Sequence, residues 1–297
     1  MGNCGNYDNT MAIILGEGVM QAYYYYQAWE NSQSYQITLG KYQIVDIITV
    51  FEAAAEDAPQ SPAGAQTVRA GAPELLSEVP IGFTAYGSYS GSPPYSSLVI
   101  LRGTQTDEEA FYDMDWTPKP CILNGTQYGN AGTGVYNFYT ESDPFINSLE
   151  QNIAAAVQKL ANAENYPNWY FAGHSLGGAL ITQAAMDAVV SGWYGSQSNP
   201  TTTLYTYGSL HVGDQGFATA FGQAVPEAYR IANLADWVPS LVGLEGDVPG
   251  YVHVGLPVTF LWQKDADWAN HSMSDTYLNT VTNYSNVLQC GPRQYPQ

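Results

Sequence analysis

The chain has 297 residues, 27 of them acidic and 8 basic, for a formal net charge of −19. Charged residues make up only 12%, about half of the roughly 25% typical of soluble domains, so the acidity comes from scarce Lys and Arg rather than from carboxylate blocks. No basic stripe is present for phosphates, which excludes nucleic acid as a partner, and anionic membrane surfaces are repelled while hydrophobic interfaces are not.

No window approaches 18 consecutive apolar residues, so stable membrane insertion is not expected. The N-terminus shows no basic region followed by an apolar one, and therefore no signal peptide. Its start, Met1-Gly2-Asn3-Cys4-Gly5-Asn6, has Asn6 where a myristoylation site wants Ser or Thr. The three cysteines, Cys4, Cys121 and Cys290, lack the C-x-x-C spacing of zinc or thioredoxin-like sites. A Cys4–Cys290 bridge would leave one thiol over. Sparse Lys with abundant Tyr, Asn, Gln and Ser leans toward a secreted protein.

Neither a repeat nor a low-complexity linker divides the chain, so residues 1–297 are read as one domain. Residues 6–30 carry helical spacing and an aromatic run, Tyr23 to Tyr26, which suits a peripheral N-terminal helix within 1–40. Residues 42–51 and 79–89 are β-branched and aromatic and predict two strands. Leu98-Val99-Ile100-Leu101 predicts a buried strand after the turn at Gly91-Ser92-Pro93-Pro94. Asp143 and Pro144 predict an N-cap and first position of a helix. Ile146, Leu149, Ile153, Val157 and Leu160 form its apolar stripe. Trp169-Tyr170-Phe171-Ala172 reads as a buried strand, followed by Gly-His-Ser-Leu-Gly-Gly and a helix to about Val190. Residues 203–207 and 229–232 are further strands. Strands alternating with helices predict an α/β fold, with a largely parallel sheet covered on both faces. Reactive side chains then collect at the carboxyl ends of its strands.

Gly173-His174-Ser175-Leu176-Gly177 matches G-x-S-x-G. By itself the pattern is cheap, but a buried strand runs into it and a small-residue helix runs out. That is the setting in which a strained serine projects its hydroxyl as a nucleophile. The alternative is a glycine-rich helix start with Ser175 as its cap. A serine hydroxyl needs a base, and four histidines are available. His174 is adjacent in sequence and would point away, and His211 precedes any plausible acid. The chain order Ser, Asp, His favours His271, in the polar stretch Asn270-His271-Ser272, over His253, which alternates with Val252 and Val254 as in a strand. It favours Asp236, just past a strand, over Asp214 or Asp247.

With these residues in place, the chain resembles the class 3 lipases, fungal-type triacylglycerol lipases of the α/β-hydrolase fold. The resemblance covers roughly residues 40–280. Leu101-Arg102-Gly103-Thr104 looks like the family's oxyanion segment, Asn233 to Pro239 like its N-x-x-D-x-V-P acid segment, and His271 with Tyr277 like its terminal histidine segment. His253-Val254-Gly255 is similar to a structural strand between the two. The resemblance implies catalysis by Ser175, Asp236 and His271, with oxyanion donors from Thr104 and Leu176. Two segments depart from it: Gly132-Thr133-Gly134-Val135-Tyr136 lacks the family's histidine, and Gly208-Ser209-Leu210-His211-Val212-Gly213 replaces G-x-P-R-x-G.

The expected activity is hydrolysis of lipid or other ester substrates through an acyl-enzyme, without metal or cofactor. Acylglycerols come first, at a lipid–water interface; a phospholipase A1 or feruloyl-type esterase is the alternative on the same frame. A non-catalytic binding module would have no need for all four elements of the machinery. Finally, Thr106-Asp107-Glu108-Glu109 reads as a capping box opening a short helix to about Asp115. The resemblance implies a lid over about 105–118, with Phe111 and Met114 as substrate-facing residues; the alternative is an ordinary connecting helix that stays packed.

Overall fold

The structure is a computed structural model that describes residues 4–53, 76–104, 114–142, 146–241 and 250–291. Helix α1 (Asn9–Glu30) starts at Asp8, whose carboxylate accepts from the backbone of Thr10 and Met11. Strands β1 (Gln43–Ala53), β2 (Leu76–Gly87), β3 (Ser96–Leu101), β4 (Pro118–Leu123) and β5 (Thr126–Gly132) follow. Then come α2 (Thr133–Thr140), α3 (Leu149–Ala163), β6 (Asn168–His174), α4 (Leu176–Val190), β7 (Thr201–Tyr207), β8 (Gly213–Asp214) and α5 (Gln215–Ala224). The chain closes with β9 (Glu227–Asn233), β10 (Tyr251–Val252), β11 (Leu256–Phe260), α6 (Asp267–His271), a π-helical turn (Met273–Leu278), α7 (Asn279–Asn283) and β12 (Gln289–Cys290).

The main sheet has eight strands in the order β1-β2-β3-β6-β7-β9-β11-β12. Its centre, β3 through β11, is parallel, whereas β1, β2 and β12 are antiparallel edges. The sheet is therefore mixed, with its parallel core where the sequence places it. Strand alternation sends successive side chains to opposite faces. Val99, Leu101, Trp169 and Phe171 join the core under α3 and α4. Leu98, Ile100 and Ala172 join the core under α1 and the π-helical turn.

One expectation is corrected. The helix expected from Asp143–Pro144 begins at Leu149, with Ile146 outside it. Ser148 Oγ accepts from Gln151 N at 3.1 Å and the Gln151 side chain accepts from Ser148 N at 3.0 Å, a reciprocal pair that satisfies two orphan donors. Asp143 and Pro144 themselves lie outside the described residues. So do Thr106 to Glu109 and Phe111, on which the lid expectation rests. Met114 and Asp115 are not helical, and Pro118 already opens β4.

The sequence reading also misses a second, four-stranded antiparallel sheet, β10-β8-β5-β4. A signal for it was present. Asn124-Gly125 sits between β4 and β5 with φ of 47° and 74°, the left-handed pair that a tight hairpin demands. The termini are joined by a disulfide between Cys4 and Cys290, and Cys121 is a buried free thiol.

Candidate active site

β6 delivers Ser175 at the carboxyl end of the parallel core. Ser175 has φ 58° and ψ −129°, a region that L-residues avoid, and makes no side-chain cap bond to α4. The helix-cap alternative is thereby removed. Such a backbone costs of order 1–3 kcal/mol and persists only where its surroundings over-determine it. Here the Ser175 N–H donates to Tyr207 O on β7 at 3.0 Å. The turn is held from the other side as well, because a Cβ on Gly177 would sit 2.1 Å from Arg102 O. Glycine at 177 lets the start of α4 lie directly against the segment after β3.

That segment carries Thr104. A Cβ on Gly103 would be 2.7 Å from Ser175 Cβ and 2.6 Å from Tyr23 Oη, so Gly103 is wedged between the elbow and α1. The Thr104 hydroxyl is buried and has no hydrogen-bond partner. Leu176 is the first residue of α4, where helix N–H groups have no intrahelical acceptor. Arg102 is buried and pinned: its Nε donates to Pro80 O at 3.0 Å, a terminal N–H to Gly103 O at 2.6 Å, and its guanidinium lies 3.8 Å from the Tyr26 ring centre.

Asp236 follows β9 and His271 ends α6. His271 Nδ1 donates to Asp236 Oδ2 at 2.6 Å, and Tyr277 Oη donates to the same oxygen at 2.6 Å. Val238 N donates to Asp236 Oδ1 at 3.0 Å. The carboxylate, 4% exposed, is thus satisfied by three donors. Burial and the neighbouring Asp236 charge hold the Tyr277 phenol well above its usual range, so it stays a donor. With Nδ1 committed, His271 presents a bare Nε2, buried and without a hydrogen-bond partner. Trp268 and Tyr277 flank the imidazole.

Although it lies in a polar stretch of sequence, His271 is 4% exposed and fixed at the end of α6. Asn233, at the end of β9, fixes it. Its side-chain amide donates to Trp262 O and Asn270 O, and its oxygen accepts from Trp262 N at 2.9 Å. The structure therefore brings Ser175, Thr104, Leu176, Asp236 and His271 to one end of the sheet. Met114 lies elsewhere in kind: it is half-buried with its side chain against Gly134 and the core under α3 and α4.

His253 is separate. Its Nε2 donates to Pro239 O at 2.9 Å and its ring stacks on His211, 3.5 Å between centres. Burial and Arg230 hold both imidazoles below their usual range, His211 at about 4. His211 occupies the arginine position of the segment that departs from the family pattern, and a neutral ring there stacks where a guanidinium would add charge beside Arg230. Among the described residues no three His, Cys, Asp or Glu side chains form a metal-binding group.

The description "Lipase (class 3)" belongs to the family model that matches residues 98–245, which span the Thr104 segment, Ser175 and Asp236. The chain belongs to the class 3 lipase family. The chain is 35% identical over 156 residues to the secreted mono- and diacylglycerol lipase 1 of Fusarium solani, covering 52% of this chain and 41% of that protein. It is 32% identical over 152 residues to a lipase of Caenorhabditis elegans, covering 50% and 39%. Phospholipase A1-II 3 of Oryza sativa subsp. indica is 31% identical over 161 residues, covering 49% and 38%. The chain thus spans about two fifths of the length of these curated relatives. Among solved structures, the Rhizomucor miehei lipase propeptide complex superposes with TM-score 0.56 at 17% identity, over 96% of this chain and 84% of that one. The lipase of Rhizopus microsporus var. chinensis gives 0.54 at 17% identity, over 87% and 77%. These likenesses show the α/β-hydrolase fold.

Tyr23, Tyr26 and Asn233 are the contributors that sequence reasoning did not single out. Asn233 opens the N-x-x-D segment and was findable there. The two tyrosines lie some 80 residues from the segment they touch and outside the matched window.

Proposed function

We propose that the chain is a serine carboxylic-ester hydrolase acting on acylglycerol ester bonds. The observation that carries this reading is the 2.6 Å bond from His271 Nδ1 to buried Asp236, which leaves Nε2 bare at the same sheet end as a strained, non-capping Ser175. His271 Nε2 takes the proton of Ser175 as Oγ attacks the ester carbonyl, and Asp236 stabilises the imidazolium. The Thr104 and Leu176 N–H groups, with the Thr104 hydroxyl, receive the oxyanion, an interaction worth about 3–4 kcal/mol per donor in other serine hydrolases. The imidazolium returns its proton to the departing alkoxide. Water, deprotonated by His271, then splits the acyl-enzyme into a carboxylic acid and free Ser175.

A lipid–water interface suits the setting. Leu234 and Leu261, 66% and 69% exposed, stand at the ends of β9 and β11 beside Asp236, where Leu234 N donates to Phe260 O at 2.8 Å. Phospholipase A1 activity is the second reading, favoured by the rice relatives. Fluorophosphonate labelling tests the chemistry: a stoichiometric adduct on Ser175 in folded protein is expected, and no adduct overturns the reading. A panel of p-nitrophenyl esters, emulsified triacylglycerol and phospholipid separates the substrates. The expected order puts acylglycerol above phospholipid, with clear activity on soluble short-chain esters. Almost no activity below the ester's solubility limit, followed by a sharp jump, contradicts that expectation.

A further inference from the structure

One buried group next to Ser175 has no part in the chemistry above. The His174 imidazole is 4% exposed, packs 4.6 Å from the His271 ring centre, and uses both nitrogens. Nε2 lies 2.9 Å from the backbone oxygen of His271, and Nδ1 lies 2.8 Å from the hydroxyl of Tyr23 on α1. That hydroxyl in turn accepts from Gly103 N at 2.9 Å. The directions of these bonds are forced. A carbonyl oxygen only accepts, so His174 carries its hydrogen on Nε2. Nδ1 is then an acceptor, and the Tyr23 O–H must donate to it. The hydroxyl's remaining capacity takes the Gly103 N–H. One chain runs Gly103 N–H to Tyr23 O–H to His174 Nδ1, then His174 Nε2–H to His271 C=O.

We propose that Tyr23 and His174 are positioning residues, joining the oxyanion segment to the backbone of the base so that both are set at one spacing around Ser175. The proposal rests on the ester-hydrolase reading and deepens it. Each end of the chain sits one peptide or one side chain from a reacting group: Gly103 precedes Thr104, and the accepting carbonyl belongs to His271 itself. Burial keeps the tautomer single, since His174 is held well below its usual range by desolvation and by His271. Burial likewise keeps the Tyr23 phenol protonated. Without the hydroxyl, Gly103 N–H and His174 Nδ1 both lose their buried partner. The imidazole is then free to turn a lone pair toward the His271 carbonyl, which repels it.

The test compares Tyr23→Phe, His174→Asn and the double variant with the wild type, and with Tyr24→Phe as a control at a half-exposed neighbour. Turnover is expressed per Ser175 that a fluorophosphonate labels at saturation, so loss of folded protein does not count. Each single variant is expected to lose kcat about tenfold with KM within twofold. Affinity for a trifluoromethyl ketone, which makes a tetrahedral adduct on Ser175, should fall in parallel. The double variant is expected to lose no more than the worse single. Unchanged kcat per labelled serine in Tyr23→Phe, or losses that multiply in the double variant, overturns the relay. Failure of the wild type to label overturns the hydrolase reading instead. Nitrogen-15 spectra of the wild-type histidines need no variant: His174 is expected as the Nε2–H tautomer from pH 5 to 9, and the Nδ1–H tautomer overturns the proposal.

Discussion

His271 is buried and His253 half-buried, and each donates through one nitrogen, yet the rings differ in their surroundings. In His271 the second nitrogen is bare at the sheet end that carries Ser175; His253 spends its hydrogen bond on Pro239 O and its face on His211. Replacing His271 by Ala is therefore expected to lower kcat by about 10⁴-fold or more. His253→Ala should leave kcat within a few-fold but cost about 1–3 kcal/mol of stability, because Pro239 O loses its buried donor. Steady-state kinetics and urea melts of the two variants check this, and the reverse pattern would exchange their roles. Asp187 offers a third test. It is fully buried, accepts from Tyr139 Oη at 3.1 Å and from Ser191, and faces Glu150. Burial, then the Asp187 charge, pushes Glu150 up to about 7. Between its ordinary 4.5 and about 7 the folded chain holds a proton that the unfolded chain has released, so stability falls as pH rises through that window. Melting temperature should drop from pH 5 to 7.5, and Glu150→Gln should flatten the slope. An unchanged slope would place the shared proton elsewhere.

Elements divide into those that local pattern announces and those that only the fold creates. β3, β6, α4 and β9 were legible because buried runs, glycine punctuation and 3.6-residue stripes are local. Asp236 and His271 were legible because chain order along a parallel sheet predicts which strand ends meet. The β4–β5 hairpin escapes notice for a different reason: β4 carries two prolines and an exposed Ile122 between buried Cys121 and Leu123, so the apolar/polar alternation that marks a half-buried strand is missing. The part of α1 in the site could not be read at all. Tyr23 is one of four consecutive tyrosines, and nothing local says which one meets a histidine 151 positions away. The contact between α4 and the Arg102–Gly103 segment makes its own prediction. Gly177→Ala forces a methyl group to 2.1 Å from Arg102 O, an overpacking expected to cost about 1–3 kcal/mol. It should also push the oxyanion segment outward, so kcat should fall while KM changes little; a stable, fully active variant would show that the segment gives way freely.

The molecule as a whole carries −19 charges with few cations to offset them. The Lys159–Asp46 ion pair, 3.1 Å long, lies at the surface where solvent screens it. Self-repulsion then weakens the folded state at low ionic strength, and salt should raise the melting temperature by screening. A flat or falling melt between dilute buffer and molar NaCl removes this expectation. The Cys4–Cys290 bridge closes 286 positions of sequence. Chain entropy assigns such a loop up to about 5 kcal/mol, so a reductant should lower the melting temperature clearly. The same separation has a consequence for synthesis. α1 is made long before its seat is complete: Gly18 rests against Ile100, but Gly16 rests against Leu278 and Met273. At ~5–20 residues per second, on the order of tens of seconds pass between translating α1 and translating the end of its seat. Throughout that interval four tyrosines and the apolar face of α1 have no place to go, so crowded expression should lose this protein to aggregation as a nascent chain rather than as a finished one.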